Sequence, residues 1–183
     1  MSTFSYLIRD GLETDFEACL ALDSSYTTDH VWQMSVFEEP GNWQISFKRE
    51  SLPRTVEVEY PADERRLRAA LPDEQCFLVA AERENNEVIG YLTMCAQPQH
   101  RLALVQDIVV SRPYRGAGIG SRLLRIARGW AREHDLTEMH AELQTKNYPG
   151  IAFCQNAGFT FCGFNDHYFL NRDIAVFFSQ SLR

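Results

Sequence analysis

The chain has 183 residues, 45% of them hydrophobic and 23% charged, with a formal net charge of −7. That length suits one domain, at roughly 100–200 residues per domain, and can bury a core without disulfides or metal. The acidic balance argues against nonspecific nucleic-acid binding, which needs a basic surface to neutralise phosphates; it favours a cationic partner, although it also serves solubility alone.

In chain order, Phe4–Arg9 alternates enough to be a strand. Glu13–Ser24 reads as an amphipathic helix, with Phe16, Cys19, Leu20 and Leu22 near one face. Residues 25–42 are polar, aromatic and irregular. Trp43–Arg49 and Thr55–Tyr60 are β-like runs separated by Ser51, Leu52 and Pro53, which predicts an antiparallel hairpin. Asp63–Leu71 reads as a short charged helix stopped at Pro72. Cys76–Glu82 and Val88–Cys95 are apolar strands joined through the turn-like Glu84-Asn85-Asn86, and Leu102–Val110 is a third. Residues 118–134 are helical, with an apolar stripe of Ile119, Leu123, Leu124, Ile126, Ala127 and Trp130. Met139–Leu143 is a strand. Pro149 suits the first turn of a further helix, and Gly158 ends it. Phe159–Cys162 and Ile174–Ser179 are closing strands. Antiparallel strands followed by strand–helix–strand–helix–strand predict an α/β or α+β sheet with helices on its faces. No internal repeat or linker divides the chain, so residues 1–183 read as a single domain.

Cys19, Cys76, Cys95, Cys154 and Cys162 are odd in number and show no metal-ligand spacing, so free thiols and no metal site are expected. The opening MSTFSYLIRD has no long apolar run and does not read as a signal peptide. No stretch approaches the ~20 apolar residues of a membrane span. A cytoplasmic protein with no membrane or nucleic-acid partner is expected.

The segment from Asp107 to Ser121 joins a buried strand to a helix and carries alternating Gly116, Gly118 and Gly120. Glycine tolerates positive φ and lets another molecule approach the backbone. The free N–H groups of the following helix lie at the positive end of its dipole, an arrangement that binds phosphate or pyrophosphate. Arg115 adds a cation. A dinucleotide-binding βαβ unit fits poorly, because its G-x-G-x-x-G spacing is absent and the preceding sequence is antiparallel in character.

Arg115–Gly120 matches the R/Q-x-x-G-x-G/A loop of the GCN5-related N-acetyltransferases, and Ile108-Val109-Val110 matches the strand before it. The resemblance continues through Asn147, Ala152-Phe153 and Gly158-Phe159, and covers about residues 76–179; residues 141–179 further resemble streptothricin acetyltransferases. It implies a central mixed, mostly antiparallel sheet with flanking helices. Acetyl-CoA would lie between two splayed parallel strands, here Leu104–Val110 and Met139–Leu143. The backbone of Ile108, Val109 and Val110 would meet the pantetheine arm. The N–H groups of Gly116, Ala117, Gly118, Ile119, Gly120 and Ser121, with Arg115, would hold the pyrophosphate. Asn147 would reach the pantetheine, or else simply cap a helix, and Phe153 would pack beside it.

The reaction implied is acyl transfer from a thioester to an amine. The amine must lose a proton, its ammonium pKa being about 10.4, so a base or water chain is needed, and a backbone N–H near Val109 would stabilise the oxyanion. Here the chain departs from the family pattern. Many relatives have Tyr where Cys154 stands and Glu where Gln106 stands. Asp107 and Glu142 are the nearest carboxylates, and a bulge in the 102–110 strand would change which side chains face the cavity. Asp107 reads either as catalytic or as a buried structural carboxylate; Glu142 faces either the acceptor or solvent. Tyr148, His167 and Tyr168 are the acid candidates. The expected acceptor is a small cationic amine of streptothricin or polyamine type, with Asp29, Glu38, Glu39, Asp166 and Asp173 as attracting charges and residues 25–72 as a variable lid. The alternatives are a protein or peptide N-acetyltransferase and a catalytically silent CoA-binding module. A homodimer is compatible with the sequence, which does not fix the oligomeric state.

Overall fold

The computed structural model describes residues 5–60 and 62–183. Strands β1 (Tyr6–Asp10), β4 (Cys76–Glu82), β5 (Val88–Gln97), β6 (Leu102–Val110), β7 (Glu138–Gln144), β8 (Thr160–Asn165) and β9 (Ala175–Ser181) form one seven-stranded sheet, ordered β1-β4-β5-β6-β7-β9-β8. Every neighbouring pair is antiparallel except β6 and β7. This is the mixed, mostly antiparallel sheet with flanking helices that the resemblance implies. The first expected strand begins at Phe4, which lies outside the described residues.

The central strands are apolar on both faces because both are covered, as in sheets with helices on each side. Leu78, Ala80, Leu92, Ala103 and Val105 pack with Leu123, Leu124 and Ala127 of α3 (Ile119–Glu133). Phe77, Val79, Tyr91 and Val109 face the other way, toward Phe16 and Cys19 of α1 (Phe16–Leu20) and Leu67 of α2 (Glu64–Ala69). A fourth helix, α4 (Tyr148–Asn156), packs its Ile151 and Cys154 into the α3-side core.

Three expectations are corrected. The helix expected over Glu13–Ser24 is only a 3-10 turn, Glu13–Asp15, followed by the five residues of α1. The chain turns away after Ala21 because the carbonyls of Asp23 and Ser25 accept the Arg115 guanidinium, at 3.0 and 2.7 Å. The irregular reading of residues 25–42 also fails. β2 (Tyr26–Glu39) and β3 (Asn42–Val58) form one long two-stranded hairpin that turns at Pro40 and Gly41, where Gly41 takes φ +81°. Ser51–Pro53, expected as the turn, lie inside β3. The register slips between Thr28 and His30, which pair with Val56 and Ser51, so Pro53 falls in a bulge where no ladder N–H is required. Trp32 N–H donates to Thr145 O at 2.9 Å, and Tyr26 OH to Gln144 Oε1 at 2.9 Å, tying β2 to the end of β7. Among the described residues, no helix is long and apolar enough to cross a membrane, and all five cysteines are free thiols.

Candidate active site

The parallel pairing of β6 with β7 runs only from Leu102 opposite Glu138 to Val105 opposite Ala141. Beyond that point the strands part, because β7 stays paired with β9 to Gln144 and β6 stays paired with β5 to Val110. Gln106 sits at the root of the split as the extra residue of a β-bulge: Val105 pairs with Met94, Asp107 with Thr93, and Gln106 with neither. The bulge resets the alternation. Val105 and Ile108 both face α3, and Asp107 is turned to the opposite face.

Ser111 N–H donates to Ile89 O at 2.9 Å. By the alternation of an antiparallel ladder, the backbone of Val109 is directed to β5, while that of Ile108 and Val110 is directed into the split. The open-edge donors near Val109 are therefore the N–H groups of its two neighbours.

A cavity of about 500 Å³ occupies the split and runs to the N-terminus of α3. Ile108, Val109, Val110, Arg115, Gly116, Gly118, Ile119, Gly120, Ser121, Asn147 and Phe153 all line it; Ala117 does not. Gly116 and Gly118 adopt φ +80°, and a Cβ on either would meet nothing within 4 Å, so the loop leaves open space before the helix. The first intrahelical bond is Arg122 N–H to Gly118 O. The N–H groups of Ile119, Gly120 and Ser121 precede it and mark the positive end of the dipole. These features fit a pyrophosphate-bearing ligand.

Arg115 plays a different structural part from that of a free cation. Its Nε donates to Val110 O at 2.8 Å, and its Nη atoms hold Ser25 O and Asp23 O, so it fastens the loop to the segment before β2. Asn147 caps α4 through Oδ1, accepting from Gly150 N–H at 2.9 Å, and also lines the cavity. The helix-cap reading of that residue holds, and the same residue faces the cavity.

At the root of the split, Glu142 is the one carboxylate on the cavity wall among the described residues. Its side chain has no solvent exposure. Arg66 Nη1 lies 2.7 Å from Oε1, and Tyr168 OH donates to Oε2 at 2.5 Å. Burial pushes the Glu142 carboxyl above the usual carboxylate range, opposed by Arg66 and by the Tyr168 hydroxyl. Asp107 is buried behind the wall and does not line the cavity. It accepts from Tyr60 OH at 2.5 Å and Thr93 Oγ1 at 2.8 Å, and Arg66 lies 3.4 Å away. Tyr168 meets Glu142 without lining the cavity.

Cys154 is on the wall but buried, and burial pushes its thiol up to about 12. Tyr148 OH accepts from Arg49, and His167 pairs with Asp166; neither lines the cavity. The charges expected to attract a cation are dispersed: Asp29 pairs with His30, Glu38 accepts from Trp43, Asp173 pairs with Lys146, and none of these lines the cavity. The sequence reading did not single out Tyr60 or Arg66. Their signal was hidden, since both precede the dense strand pattern and meet β6 and β7 only through the fold.

The profile of the acetyltransferase (GNAT) family matches residues 32–159. The chain belongs to that family and is an acetyltransferase of the GNAT type. Among individual proteins, it is similar to a streptothricin acetyltransferase of Streptomyces lavendulae, with 27% identity over 164 residues, 87% of this chain and 84% of that protein. A streptothricin acetyltransferase of Escherichia coli is 37% identical over 62 residues, 34% of this chain and 36% of that one. The fold is shared with the crystal structure of nourseothricin acetyltransferase, with a TM-score of 0.80, 24% identity, and 97% and 99% of the two chains covered. It is also shared with a Bacillus anthracis protein assigned as a streptothricin acetyltransferase and solved in complex with acetyl coenzyme A, with a TM-score of 0.76, 23% identity, and 97% and 98% covered.

Proposed function

We propose that this protein transfers the acetyl group of acetyl-CoA to a primary amine of a small cationic molecule of the streptothricin or polyamine type. The observation that carries this reading is one continuous cavity, open to the N-terminus of α3 at one end and walled by Glu142 at the other. Similarity to streptothricin acetyltransferases over 87% of the chain supports the acceptor class.

Acetyl-CoA supplies the thioester carbonyl that is attacked. The N–H groups of the glycine loop and the first turn of α3 hold its pyrophosphate. The open edge of β6, with Asn147 and Phe153, aligns the pantetheine. Glu142 takes one proton from the acceptor ammonium, freeing the nitrogen lone pair to attack the carbonyl carbon. A backbone N–H on the open edge of β6 stabilises the oxyanion. The C–S bond then breaks, and the thiolate takes up the second proton that the nitrogen sheds as it becomes an amide. A thiol pKa of about 8.5 makes it a competent leaving group without a strong acid. The hairpin β2–β3 and α2, within residues 25–72, form the lid on the acceptor side of this single domain.

Glu142→Gln tests the reading. It keeps the volume of the side chain and removes the base. We expect kcat/KM to fall by roughly 10²–10⁴-fold while acetyl-CoA affinity, measured by calorimetry, is retained. An unchanged kcat/KM would remove Glu142 from the reaction.

A further inference from the structure

We infer that Arg66 is a positioning residue of this reaction: wedged between Asp107 and Glu142, its guanidinium holds the Glu142 carboxylate ionised and in place at the wall of the split. The inference rests on the proposed role of Glu142 as the base.

The geometry begins with two buried carboxylates on neighbouring strands that share one cation. Arg66 Nη1 is 2.7 Å from Glu142 Oε1 and 3.4 Å from Asp107 Oδ1. Glu142 thus has a like charge, Asp107, and an opposite charge, Arg66, within the range in which the first disfavours its ionisation and the second favours it. Among the described residues, no other cation is paired with either. The titratable groups that act on Glu142 are Arg66 from α2, Asp107 from β6, Cys95 from β5 and Tyr168 between β8 and β9, with Tyr60, ahead of α2, bonded to Asp107. Of these, only the guanidinium is positive.

The two carboxylates are treated differently. Asp107 is satisfied on both oxygens, by Tyr60 and Thr93, and acts as the anchor. Glu142 receives a hydrogen bond from Tyr168 on Oε2, whereas the close Arg66 contact on Oε1 lacks hydrogen-bond geometry.

Arg66 is itself fixed at three further points. Its Nη1 donates to the carbonyl of Gln106, the bulge residue, at 3.1 Å, and its Cζ lies 5.5 Å from the centre of the Phe169 ring, beside Tyr168. Its backbone belongs to α2, whose Leu67 is buried in the core. Burial alone would lower the basicity of Arg66, but Asp107 and Glu142 outweigh it and hold the guanidinium above its ordinary value. A cation seated at the bulge thus couples the lid-side helix to the base on β7.

The test reads the Glu142 carboxyl directly, by carbon-13 NMR titration of glutamate-labelled protein, with the resonance assigned by its loss in Glu142→Gln. Arg66→Gln should raise the Glu142 midpoint by roughly 1–3 pH units, Arg66→Lys should raise it less, and Asp107→Asn should lower it. The acid limb of kcat/KM, measured with acetyl-CoA and streptothricin, should move in the same directions. Should Arg66→Gln lose acetyl-CoA binding through misfolding, Arg66→Lys and Asp107→Asn still decide. A Glu142 midpoint unmoved in folded Arg66 and Asp107 variants would overturn the inference. Opposite shifts of that midpoint in the two variants, with activity indifferent to Glu142→Gln, would uphold the coupling and refute only the base assignment.

Discussion

Cys154, which the family resemblance sets where many relatives carry a tyrosine, is a poor proton donor. Burial pushes the Cys154 thiol up to about 12, above the pKa of about 8.5 of the thiol formed when the leaving thiolate is protonated. Cys154→Ala is therefore expected to keep kcat within about tenfold of the parent, and a drop of ~10²-fold or more, the scale of a general acid, would contradict it. Gly118 is the opposite case, a residue with no side chain and a specific demand. At φ +80°, with open space where a Cβ would stand, Gly118→Val adds roughly 1–2 kcal/mol of left-handed strain and places methyl groups before the first turn of α3. Calorimetry should show CoA affinity lost while circular dichroism reports an intact fold; unchanged affinity would move the pyrophosphate site elsewhere. The loop was legible in the sequence because its signal is local: alternating glycines between an apolar strand and an amphipathic helix. Glu142 was legible only as a nearby carboxylate. Arg66 and Tyr60 were not, because nothing near them in the chain marks a role that depends on strands 40 residues away.

The elements show where local pattern was overridden. Cys76–Glu82 and Leu102–Val110 were read with the boundaries that β4 and β6 have, since long apolar runs admit few alternatives. The hairpin was misread because Ser51–Pro53 look like a turn, while the Pro40-Gly41 pair, also a turn signal, was passed over inside a polar stretch. The sequence raises a bulge within 102–110 only as one way to redirect side chains; the structure puts it at Gln106, and it turns Asp107 away from the cavity. At the start of α1, Asp15 replaces helix propensity with a tether. Its carboxylate accepts from Arg9 at 2.7 and 2.8 Å and from Leu12 N–H at 2.9 Å. The Arg9 hydrogen bond holds Asp15 below the usual carboxylate range, so the stability it contributes is present above the unfolded pKa of about 3.9 and is lost as pH falls toward the folded value. Asp15→Asn should destabilise by about 1.5–3 kcal/mol at neutral pH in chemical denaturation, and the difference from the parent should shrink below about pH 4. A constant difference across pH would show that the charge plays no part.

Across the whole molecule, the fold is shared over 97% of the chain with nourseothricin acetyltransferase at 24% identity, which leaves wide room for the acceptor side to differ. The net charge is −7, and among the described residues the cavity wall carries one carboxylate. Attraction of a polycation would thus come mainly from the long-range field, which salt screens over ~8–10 Å at 0.1–0.15 M. The most direct measurement is steady-state release of CoA thiol from acetyl-CoA with streptothricin, polyamines, aminoglycosides, peptide N-termini and arylamines as acceptors, at low and high salt. The predicted result is turnover of streptothricin or another small polycation, with kcat/KM falling as salt rises. CoA binding without turnover of any amine, or a preference for peptide N-termini or neutral arylamines that salt does not alter, would contradict the proposed function.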